Sequence, residues 1–70
     1  MKILDESKAL TEMRVSDIII RLQVISEEVE HTIFATDGSE KIALWNVNGK
    51  IQDSIRELQK ILRRLTFQEG

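Results

Sequence analysis

The chain has 70 residues, with ten Lys or Arg against twelve Asp or Glu, one His, and neither Cys nor Pro. So short a chain forms one domain at most and buries only about 60% of the surface its unfolded form exposes. With no cysteine for disulfides or thiolate metal sites, it is expected to gain its stability by oligomerising. The net charge of -2 argues against a chain built as a whole to sit on nucleic acid, and a single histidine excludes most zinc constellations.

The opening residues Met1-Lys2-Ile3-Leu4-Asp5-Glu6 turn acidic at once and lack a signal-peptide core. No apolar run approaches the roughly 18–20 residues needed to span a bilayer. We therefore expect a cytoplasmic chain that does not enter a membrane. Asp5 or Ser7 can cap an early helix, and Thr11 is a second possible start, with Glu12 favourably placed in the first turn. A first helix over about 5–34 follows.

Its apolar residues Val15, Ile18, Leu22, Ile25 and Val29 recur at alternating three- and four-residue spacing, the mark of a helix seam. Ile18, Ile19 and Ile20 are consecutive and cover far more of the circumference than one neighbouring helix can hide. A buried β-strand is the competing reading, since isoleucine and valine favour strands. The pattern nevertheless continues for five turns, and Glu27, Glu28 and Glu30 fall at helix-compatible positions.

Residues 35–40, Ala-Thr-Asp-Gly-Ser-Glu, supply a turn. Gly38 can take a left-handed conformation just past a helix end, and Asp37 with Glu40 has the spacing of a capping box. A second helix over about 41–66 carries the seam Leu44, Asn48, Ile51, Ile55, Leu58, Leu62 and Leu65. Asn46-Val47-Asn48-Gly49 is its weak point, Gly49 alone costing about 1 kcal/mol relative to alanine. For that reason residues 32–51 can also be read as a β-meander with tight turns at Asp37-Gly38 and Asn48-Gly49. The stretch from Asp37 to Asn46 locally resembles a strand of a β-propeller repeat, or of an oligonucleotide-binding barrel. Seventy residues with helical ends complete neither fold.

Chemistry-bearing constellations are sparse. His31 follows Glu27 and Glu28 at four- and three-residue spacing, but a metal there would need ligands from a symmetric partner. No serine or lysine has a recognisable activating neighbour, and no glycine-rich phosphate loop occurs. We expect no enzyme, no cofactor and no metal site. Arg56, Lys60 and Arg63 line one helix face with Arg64 beside them. A dimeric hairpin with such a stripe resembles, in architecture only, the small RNA-binding hairpins that control plasmid copy number. Residues able to stack on bases are scarce, and the plainer reading is a solvated face paired with acids. Asn48 in the seam either fixes register and oligomeric state or lies partly wet near the turn.

The expectation is thus an all-α, antiparallel two-helix hairpin that pairs into a homodimeric four-helix bundle. Val15, Ile18, Leu22, Ile25, Val29, Ile51, Ile55, Leu58, Leu62 and Leu65 form its oligomer interface, with Ile19 and Ile61 among those covering the second interface. Ile20, Val24 and Trp45 are candidates for contact with another, unidentified protein. Such a chain reads as a small non-enzymatic adaptor or regulator. An RNA- or DNA-binding hairpin using Arg56, Lys60, Arg63 and Arg64 is the alternative, and a structural subunit of a larger helical assembly is a third reading.

Overall fold

A computed structural model describes the backbone of residues 2–67 and the side chains from Ser7 onward, and these residues form two helices, α1 (Lys2–Phe34) and α2 (Ser39–Phe67), packed against each other as a hairpin. The hairpin is one layer thick, with backbone extents of 56 × 15 × 11 Å. Among the described residues there is no strand, so the isoleucine run 18–20 and the meander over 32–51 are both helix. No described helix is long and apolar enough to cross a membrane.

α1 runs through both starts expected from the sequence. The side chain of Asp5 lies outside the described residues. Thr11 does not begin the helix: its hydroxyl donates back to the Ser7 carbonyl at 3.0 Å, one turn earlier. Threonines inside helices commonly bond in this way when the backbone N–H they would cap is already engaged.

The turn is shorter than the six residues expected. Ala35 and Thr36 N–H donate to the carbonyls of Thr32 and Ile33, both at 3.1 Å, and the Thr36 hydroxyl donates to Thr32 O at 2.6 Å. These tight bonds satisfy carbonyls that a helix end leaves open. Gly38 then reverses the chain at φ +77°, a conformation that costs an L-residue roughly 1–2 kcal/mol. α2 starts at once, with Lys41 N–H donating to Gly38 O at 3.1 Å. The Ser39 hydroxyl donates to the Glu40 carboxylate beside it at 3.4 Å, a contact within the first turn that is not the expected Asp37–Glu40 capping box.

The contact between the helices has an unbroken 3-4 rhythm. If Ile19 and Ile55 are given heptad position a, α1 presents Val15, Ile19, Leu22, Ser26, Val29 and Ile33. α2 presents Leu44, Asn48, Ile51, Ile55, Leu58, Leu62 and Leu65. The second seam coincides with the sequence reading. The first does not: Ile18 and Ile25 are 45% and 43% exposed, and the buried residues are Ile19, Ser26 and Ile33. Isoleucine stands at 18, 19 and 20, so apolarity alone could not choose among those faces. The partners across the hairpin made the choice.

Candidate interaction surface

The centre of the hairpin is polar. The Ser26 hydroxyl donates to Asn48 Oδ1 at 2.6 Å, and Gln52 Nε2 donates to Ser26 Oγ at 2.7 Å. Asn48 is only 4% exposed, so the partly wet position considered for it is excluded. No fully buried side-chain nitrogen or oxygen among the described residues lacks a partner. A complete network of this kind ties one serine to one asparagine across the chain. A slip of the helices by one residue would leave both unsatisfied in a low-dielectric interior.

Around that centre the two edges of the hairpin differ. All five buried residues, Ile19, Ser26, Ile33, Asn48 and Ile55, occupy heptad position a. Every residue at position d, from Lys8 to Val29 and from Leu44 to Leu65, stays part-exposed. In an antiparallel pair the d positions of both helices border one edge together with the g positions, and the a positions border the other with e. Position g holds Ile18 and Ile25 on α1, with Val47 and Ile61 on α2, all exposed. The d/g edge is therefore an open apolar face shared by both helices, whereas the a/e edge exposes polar or small side chains at e apart from Trp45.

The remaining exposed apolar residues lie elsewhere. Trp45 stands at position e and is 50% exposed; Met13, Ile20, Phe34 and Ile42 occupy b, and Leu10, Val24 and Phe67 occupy f. Near the open end, Leu10, Met13, Ile20 and Leu62 line an open groove of about 710 Å³, with Glu12 and Asp17 beside them. The structure thus separates the candidate partner contacts Ile20, Val24 and Trp45 from the d/g face.

The basic residues Arg56, Lys60, Arg63 and Arg64 are exposed on the outward side of α2. Two of them hold acids of their own helix: Arg56 Nη2 lies 2.7 Å from Asp53 Oδ1, and Lys60 Nζ lies 3.7 Å from Glu57 Oε2. Arg21 and Asp17 pair in the same way at 3.0 Å on α1. Such exposed pairs contribute about 0–1 kcal/mol each. His31, Glu27 and Glu28 are exposed, and the described residues contain no group of three or more His, Cys, Asp or Glu placed to hold a metal ion.

The sequence reading missed the Ser26–Gln52 side of the polar centre. A signal existed: with Asn48 in the seam of α2, an antiparallel count centred on Asp37 brings Ser26 to its level. No family model, no curated protein and no solved structure matches this chain.

Proposed function

We propose that this chain is a small non-enzymatic adaptor or regulator that self-associates and binds another protein through its helix faces. One observation carries the reading. Ile19, Ile33 and Ile55 are the buried apolar residues among those described, whereas twelve large apolar side chains stand exposed. Contiguous exposed apolar surface on so small a molecule is the usual mark of an interaction site. It lies on two separate faces, so one copy of the chain and one different partner can be held together. Trp45, Ile20 and Val24 are the residues we assign to the second partner, tryptophan being a frequent anchor in such contacts.

Light scattering across a dilution series, at low and high salt, tests the first half. A constant mass of twice the 8.1 kDa chain is expected at both salts, since apolar contacts survive screening. A chain that stays monomeric would overturn the self-association. Binding to RNA or DNA that weakens steeply with salt, and disappears when Arg56, Lys60 and Arg63 are changed to Glu, would replace the adaptor reading with a nucleic-acid one.

A further inference from the structure

We propose that the d/g face is covered by a second copy of this chain turned end for end, so that the two hairpin turns lie at opposite ends of a four-helix bundle. This rests on the self-association proposed above and goes further, assigning the face, the symmetry and the direction.

The first support is the pattern of the face itself. Along α1 the d and g positions read Thr11, Val15, Ile18, Leu22, Ile25, Val29, Thr32. The order is the same from either end, with Leu22 at its centre. Along α2 they read Leu44, Val47, Ile51, Ser54, Leu58, Ile61, Leu65, again with like residues at mirrored places around Ser54. The Ser26–Asn48 bond sets the antiparallel count, and that count brings Leu22 and Ser54 to nearly the same level. The centres of the two stripes therefore lie within two residues, about 3 Å, of each other along the hairpin. A two-fold axis through that level, lying in the face and perpendicular to the helices, lays each stripe on its own copy. Ile18 then meets Ile25 of the second copy, and Val15 meets Val29. Such a contact is isologous and closes at two copies.

The second support is charge. The half of the hairpin nearer the turn, residues 21–54, holds six acids against three bases. The open half, residues 2–20 and 55–67, holds seven bases against five acids. An end-for-end partner sets each half on its opposite. A partner with its turn at the same end would set acid on acid and base on base. Position c, beside the stripe, repeats this at single residues: Arg14 and Glu28 mirror each other about the centre, as do Lys50 and Glu57. Arg21 lies nearest the axis, and its charge is already met by Asp17 at 3.0 Å. Like charges brought together suppress the wrong arrangement more strongly than opposite charges strengthen the right one.

The experiment uses the full chain, which has no cysteine of its own. Asp37→Cys at the exposed turn takes one spin label per copy, and pulsed dipolar spectroscopy reads the distance between the two labels. An end-for-end dimer places them at a separation approaching the 56 Å length of the hairpin. Turns at the same end would bring them within about two helix diameters, roughly 20 Å. In parallel, Ile18→Lys on the d/g face is expected to halve the mass, and Ile20→Lys on the other side to leave it unchanged, each checked for helix content. A short label distance in a dimer overturns the end-for-end arrangement and leaves self-association standing. A monomeric wild-type chain overturns both. Dissociation by Ile20→Lys but not by Ile18→Lys overturns the choice of face.

Discussion

Gly49 and Gly38 do opposite work in one short stretch of chain. Gly49 lies inside α2 with a helical backbone, and a Cβ built there meets nothing within 4 Å. Glycine in such a place only adds unfolded-state freedom, so Gly49→Ala should stabilise the chain by about 1 kcal/mol. Gly38 has equally open space but sits at φ +77°. Gly38→Ala should destabilise by roughly 1–2 kcal/mol, because strain, and not crowding, sets the penalty. Urea unfolding of the two variants beside the wild-type chain checks both signs. Equal effects would mean that one of the two backbone conformations is wrong. The sequence made Gly38 legible because a left-handed residue is needed between two helices. Gly49 was ambiguous, since a glycine after asparagine suits a tight turn as well as a tolerated helix position. What decides is the next level of structure, where Asn48 is needed in the interior.

For each helix, legibility followed amphipathicity. α2 has charged and polar residues over most of its circumference and leucine or isoleucine along the seam except at Asn48, so its contact face could be read residue by residue. α1 is apolar on several faces at once, and its packing against α2 passes through Ile19 and Ser26 instead of Ile18 and Ile25. A serine in a seam looks like an interruption until the residue facing it is known. The polar centre makes its own prediction. Ser26→Ala removes the shared partner of Asn48 and Gln52 and should destabilise by about 1–3 kcal/mol. Replacing both sides, Ser26→Ala with Asn48→Leu, should recover most of that loss, since an apolar pair of similar volume leaves few polar groups stranded. The double variant should also lose its single register, visible as extra or broadened amide resonances in a two-dimensional NMR spectrum. Sharp, single resonances in the double variant would mean that the turn at Gly38 alone fixes the register.

A single-layer hairpin has little interior of its own. Stable domains bury an apolar face of each element against at least one further layer, and here Ile33 is the one large side chain among those described with no exposure at all. Ile33→Ala should therefore cost about 2–5 kcal/mol, most of what a chain of this size has available. Leu22 and Leu58 differ in kind, being half-covered by their own chain and left with an open side on the d/g face. If a second copy completes their burial, folding and association are one equilibrium, and stability depends on concentration. Tenfold more protein then adds about 1.4 kcal/mol per dimer, which for a bundle of this size raises Tm by roughly 4 °C. Leu22→Ala and Leu58→Ala should lower Tm at every concentration and shift the dilution at which the mass falls toward higher protein. Scanning calorimetry over a hundredfold range of concentration separates the cases. A Tm that does not move, with both leucine variants melting like the wild-type chain, would mean that the d/g face stays in water and that the hairpin is stable alone.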